Sequence, residues 1–177
     1  MESRFPDRER EPVASVEDRV VAGPHGDVPV RLYRPELTGT PPVLIYFHGG
    51  GWVLGSLETH DAICRALANT AQCVVIAVDY RLAPEHPFPQ GLQDCQAVVR
   101  WVQDSALEIG VDGERVAVGG DSAGGNLAAA VANSNRDENA KPLCHQLLIY
   151  PVIDAEQATE SYRENAEGYL LTALGMK

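Results

Sequence analysis

Hydrophobic and polar positions divide the chain into short alternating segments. Residues 1–12 are mostly polar and are expected to be a flexible opening, with 13–177 forming one domain. "VEDRVVAG" and "VPVRLYRP" alternate apolar and polar positions on either side of the turn-like "GPHGD", the pattern of an antiparallel hairpin. "VLIYFH", "CVVIAVD", "RVAVGG" and "HQLLIYPV" are nearly continuous apolar runs, the signature of strands buried on both faces. Between them, "ETHDAICRALANTA" has helical spacing with Ile63, Leu67 and Thr70 on one face, residues 92–107 form a second helical stretch, and the Ala-rich segment after residue 122 a third. The spacing predicts an α/β fold: a mostly parallel sheet with helices on both faces, opened by an antiparallel hairpin.

Two glycine-rich stretches interrupt this pattern where strands end. "GGDSAGG" follows the third buried run and precedes the Ala-rich helix. Its Gly120-Asp121-Ser122-Ala123-Gly124 core is G-x-S-x-G at a strand–turn–helix junction, the arrangement of a nucleophile elbow. Such a turn brings the residues two before and two after the serine together, so both must lack bulk. The helix beginning at Ala123 aims its first N–H groups at the point where an oxyanion would form. A Gly-rich turn that binds phosphate is the alternative, but the stretch has neither the lysine of a P-loop nor the spacing of a dinucleotide site.

"HGGGW", residues 48–52, follows the first buried run. Both motifs fall at the C-terminal ends of parallel strands, the edge on which open α/β sheets build their sites. The N–H groups of Gly50 and Gly51, joined by that of Ala123, are the expected oxyanion donors, with His48, Gly49, Gly120, Asp121 and Gly124 as supporting motif positions. Asp121 and Asn126 read as polar groups at a helix N-terminus. Trp52 either lines a pocket or simply packs. The Pro-punctuated "DYRLAPEHPFP" reads as a stiff buttress behind the glycines, with Arg81 pairing Glu85 or Asp79.

With these motifs in place, the chain resembles the hormone-sensitive-lipase-like esterases and lipases among the α/β-hydrolases. "PVRLYRP", "DYRLAPEHPFP" and "LLIYPV" share the likeness, which runs from about residue 13 onward. The resemblance implies an α/β-hydrolase fold and cofactor-free hydrolysis of carboxylic esters of short to medium acyl chains. It also implies Ser122 as nucleophile and Gly50, Gly51 and Ala123 as the oxyanion hole. The same fold can serve as a non-catalytic, receptor-like binder, as in plant gibberellin receptors; intact glycines and an intact serine favour the enzyme.

A serine of this kind needs a histidine base and an acid to orient it, following in the order Ser, Asp or Glu, His. The one histidine after Ser122, His145, opens the last apolar run and lies about 20 Å from the catalytic edge at about 3.3 Å per residue. Asp154 lies past that run on the correct edge, but the resemblance implies an acid one strand later. The expectation is therefore a chain that stops short of the family's acid and late histidine, with residues from about 155 beginning a cap or connecting segment and Thr172 capping a helix just begun.

Composition narrows the remaining classes. The 177 residues are 45% hydrophobic and 22% charged, with a formal net charge of −11. That charge argues against nucleic-acid or anionic-membrane partners and leaves a small-molecule ester as the expected one. The four cysteines have no metal-binding or redox spacing and read as buried free thiols, so neither a metal nor a cofactor is expected. No apolar run approaches the length of a membrane span, about 20 residues, and the opening residues lack a signal peptide's apolar stretch, making the cytoplasm the expected location. Oligomeric state is not legible.

Overall fold

A computed structural model of the chain describes residues 10–137 and 140–176. Strands β1 (Ser15–Gly23) and β2 (Gly26–Arg34) form the expected hairpin. Four parallel strands follow, β3 (Val43–Phe47), β4 (Val74–Val78), β5 (Val116–Asp121) and β6 (His145–Ile149), interleaved with helices α1 (Asp61–Ala71), α2 (Gln90–Ile109) and α3 (Ala123–Asp137). A five-residue helix, α4 (Glu160–Glu164), comes last. The strand order is β1-β2-β4-β3-β5-β6. The chain leaves β3 for β4 on one side and later returns to β5 on the other, so the β3/β5 boundary is the sheet's switch point, where open α/β sheets form their crevices.

Every residue of β3 and β4 is buried, as their unbroken apolar runs require. On one face Val43, Ile45 and Phe47 of β3 join Val98 and Val102 of α2 and Leu127 of α3 in a core. On the other, Leu44 and Tyr46 join Val75 and Ala77 of β4 with Cys64 and Ala68 of α1. The sheet is thus covered by α2 and α3 on one side and by α1 on the other.

Three expectations are corrected. Helix α1 buries Asp61, Cys64 and Ala68, leaving Ile63 and Leu67 half-buried and Thr70 exposed. Asp61 turns inward because Arg65 Nε (2.8 Å) and the Tyr33 hydroxyl (3.1 Å) hold it, while Ile63 and Leu67 pack against the margin of the core. Arg81 pairs with neither Glu85 nor Asp79; its guanidinium and its own N–H both engage the buried Asp94 of α2. Three cysteines are buried free thiols, but Cys144 is exposed just before β6. Thr172 makes the contacts of an N-cap over a single turn: its Oγ1 accepts the Gly175 N–H (3.1 Å) and its carbonyl the Met176 N–H (3.1 Å).

Residues 1–9 of the expected flexible opening lie outside the described residues. Arg10 to Pro12 run along α1, where Asn69 Nδ2 donates to Glu11 Oε2 (3.2 Å) and Pro12 O (3.0 Å). At the far side of the sheet β6 has one free edge, and Leu148, Tyr150, Ile153, Leu170 and Leu174 near it and beyond it are exposed.

Candidate active site

The serine sits on a sharp corner. Strand β5 ends at Asp121, α3 begins at Ala123, and Ser122 between them has φ +53°. A non-glycine residue in the left-handed region is held there only when its neighbours over-determine it. Here they do: the Ser122 N–H donates to Ile149 O (2.9 Å), and Ser122 O accepts from Val152 N (3.1 Å) and Asn126 N (3.1 Å). Asn126 Nδ2 also donates to Val152 O (2.8 Å), so the side chain fastens the segment after β6 and is not a helix cap. A Cβ on Gly120 would lie 2.4 Å from Phe47 O, and one on Gly124 2.0 Å from the same oxygen. No side chain fits at either position.

The glycine loop leaves β3 beside this corner. Gly50 and Gly51 have φ +132° and +62°, and Gly50 O accepts the N–H groups of Val53 (3.2 Å) and Leu54 (2.9 Å), which closes a turn. Among the described residues, the N–H groups of Gly50, Gly51 and Ala123 donate to nothing. The loop of residues 79–89 braces the glycines from behind: the Tyr80 hydroxyl donates to His48 O (2.6 Å), the Tyr80 ring stacks on His48 at 4.4 Å, and Ala83 N donates to Trp52 O (2.9 Å).

His48 is 2% exposed. With Nδ1 donating to Gly49 O (2.9 Å), Nε2 is a bare acceptor without a hydrogen-bond partner among the described residues. Burial is the main reason its pKa is pushed down to about 4, against a smaller opposing pull from the Gly49 carbonyl. Asp121 behaves oppositely. Burial disfavours its charge, but hydrogen bonds from His60 and Tyr46, with help from the Gly49 N–H, outweigh burial and hold the carboxyl below its ordinary value.

The remaining expected groups are not brought to Ser122. Asp154 is exposed beyond β6 and accepts the Glu156 N–H (2.9 Å) in a local turn. His145 pairs with Ala117 at the start of β6, the end away from Ile149 and Ser122. No hydrogen bond joins Ser122 to any of the five histidines among the described residues. Two contributors escaped the sequence reading, His60 and Tyr46, both on the Asp121 carboxylate. Only the register held a hint: Tyr46 pairs with Gly119, so Asp121, two residues on, shares its face.

A cavity of ≈ 410 Å³ opens beside the loop, lined by Gly51, Trp52, Phe88, Leu92, Leu127 and Ala130 among others. Trp52 therefore lines a pocket. Among the described residues no cluster of His, Cys, Asp and Glu could hold a metal, and no helix is long and apolar enough to cross a membrane.

A family model described as the alpha/beta hydrolase fold matches residues 44–177. The chain belongs to that family. The hormone-sensitive-lipase-like resemblance carried by the two motifs agrees with it. Carboxylesterase NlhH of Mycobacterium tuberculosis is 49% identical over 163 residues, 90% of this chain and 51% of that protein. An arylesterase of Saccharolobus solfataricus is 40% identical over 162 residues, 92% of this chain and 53% of its own. Among solved structures, an α/β-hydrolase enzyme from the Lake Arreo metagenome superposes with a TM-score of 0.92 at 46% identity, covering 96% of this chain and 54% of that one. A Pyrobaculum calidifontis esterase gives 0.89 at 45% identity, covering 94% and 55%. The chain spans about half the length of the curated relatives it matches.

Proposed function

We propose that the protein hydrolyses carboxylic esters through an acyl-enzyme on Ser122. The observation that carries this reading is a serine at φ +53° beside a glycine loop whose Gly50 and Gly51 N–H groups are unengaged among the described residues. The serine oxygen adds to the ester carbonyl and the carbonyl oxygen takes up the negative charge. The N–H groups of Gly50, Gly51 and Ala123 receive that oxyanion, each contributing about 3–4 kcal/mol of transition-state stabilisation. Collapse expels the alcohol, and water then releases the acid by the same route. The proton on the Ser122 hydroxyl goes to a general base, a role for which none of the five histidines is hydrogen-bonded to Ser122 among the described residues. The names of the relatives, carboxylesterase and arylesterase, support the reaction class.

The apolar cavity beside Gly51 suits the hydrocarbon part of an ester of short to medium length. The test is hydrolysis of short p-nitrophenyl esters by the full-length protein. Ser122→Ala is expected to remove the activity; a purified variant that keeps more than about a few per cent of the rate would take Ser122 out of the nucleophile role.

A further inference from the structure

Asp121 is the residue immediately before Ser122, and it does not cap α3. Its Oδ1 accepts the Gly49 N–H (3.0 Å) and the Tyr46 hydroxyl (2.8 Å), and lies 3.3 Å from His60 Nε2. Its Oδ2 packs so closely on Gly49 that a Cβ there would sit 2.2 Å away. One side chain therefore touches both halves of the site, covalently next to the serine and hydrogen-bonded to the first peptide of the glycine loop.

The partners are themselves fixed. Tyr46 is a fully buried β3 residue, and His60 is the N-cap residue immediately before α1. His60 Nδ1 lies 2.8 Å from Thr59 Oγ1, and its ring lies 5.3 Å from that of His48. A carboxylate accepts only, so His60 Nε2 is the donor. The two peptides that meet at Gly49 are thus both held, the first through its N–H by Asp121 and the second through its carbonyl by His48 Nδ1. The Gly50 N–H shares its planar peptide with the Gly49 carbonyl, and the Gly51 N–H shares its own with the Gly50 carbonyl that Val53 and Leu54 hold; both N–H groups are themselves unengaged among the described residues. Their direction depends on how those peptides and the one before them are held. A carboxylate this close to a developing oxyanion would also repel it if left bare; three donors occupy it and turn its charge away.

We propose that Asp121, steadied by His60 and Tyr46, is a positioning residue that aims the glycine-loop N–H groups at the carbonyl attacked by Ser122. This rests on the ester-hydrolase reading above. A donor set loosened by a fraction of an ångström loses transition-state stabilisation while leaving ground-state binding nearly intact.

The experiment uses the full-length protein with p-nitrophenyl butyrate and the variants Asp121→Ala, Asp121→Asn, His60→Ala, His60→Gln and Tyr46→Phe, with Ser122→Ala alongside. Asp121→Ala is expected to lower kcat about 10²-fold with KM changed less than about threefold, the loss typical of one oxyanion donor. Asp121→Asn keeps an acceptor oxygen for Gly49 and should recover kcat to within about tenfold of wild type. His60→Gln should restore most of what His60→Ala loses, because the glutamine amide can donate to the carboxylate in place of Nε2. Amide hydrogen exchange at Gly49, Gly50 and Gly51 should speed up in Asp121→Ala and not in Asp121→Asn. If Asp121→Ala does not fold, the Asp121→Asn and Tyr46→Phe pair decides the matter: kcat must fall in Tyr46→Phe while its KM holds. The proposal is overturned if Asp121→Ala keeps wild-type kcat, if only KM moves, or if loop exchange is unchanged. Activity surviving in Ser122→Ala would instead overturn the ester-hydrolase reading itself, so the two failures are distinguishable.

Discussion

His48 gives the fold a calculable acid sensitivity. Its pKa is pushed from 6.5 to about 4 because the ring is buried between Tyr80 and His60 and would carry a charge on a nitrogen with no acceptor. In the unfolded chain the imidazole regains its ordinary value. Between about pH 6.5 and about pH 4 the unfolded state therefore binds more protons than the folded one, so stability falls as pH falls through that window. At about 1.4 kcal/mol per unit, moving from pH 7 to pH 5 costs about 2 kcal/mol through this residue alone. The perturbation is His48→Asn, which can still donate to Gly49 O but cannot titrate. Urea unfolding of both proteins at pH 7 and pH 5 gives the comparison. Wild type is expected to lose about 2 kcal/mol more than His48→Asn over this interval. Equal losses, or an NMR titration of His48 centred near its ordinary value, would refute the reasoning.

Other consequences follow from the glycines, the cysteines and the sheet edge. Gly51→Ala meets no atom within 4 Å and pays only for its φ of +62°, whereas Gly50→Ala puts a Cβ 2.1 Å from Leu54 O. By thermal unfolding, the first should destabilise by about 1 kcal/mol and the second by about 3 kcal/mol or more; equal effects would contradict the loop geometry. In the native protein a thiol reagent such as DTNB should titrate Cys144 quickly and reach Cys64, Cys73 and Cys95 only on unfolding. Residues 1–177 expressed alone should self-associate in light scattering through the free edge of β6, with Leu148 and Tyr150 exposed beside it; a dilution-stable monomer would count against this.

Much of the architecture was legible because burial leaves a local mark. Strands β3 and β4 are covered on both faces, so their runs are unbroken, and the half-covered hairpin alternates. The meeting of two glycine-rich turns at one sheet edge was legible too, since both follow parallel strands and sterics at Gly120 and Gly124 leave no room for a side chain. Partner choice was not. The Asp121 contacts with His60 and Tyr46 depend on strand register and on the path of the loop into α1, which no local pattern records. The same holds for Arg81, whose acidic neighbours in sequence lost to Asp94 on α2. Helix α1 was misjudged because apolar spacing does not mark a buried Asp61, and Cys144 because its hydrophobic type says nothing of its place ahead of an edge strand.

The central claim is that Ser122 is the reacting atom's owner. Its most direct test is to treat the full-length protein with a fluorophosphonate ester analogue, digest it, and locate the adduct by mass spectrometry. A single phosphonyl adduct on the peptide containing Ser122, formed in step with loss of esterase activity and absent from Ser122→Ala, is the expected result. An adduct on another residue, or full inactivation of an active Ser122→Ala variant, would contradict it.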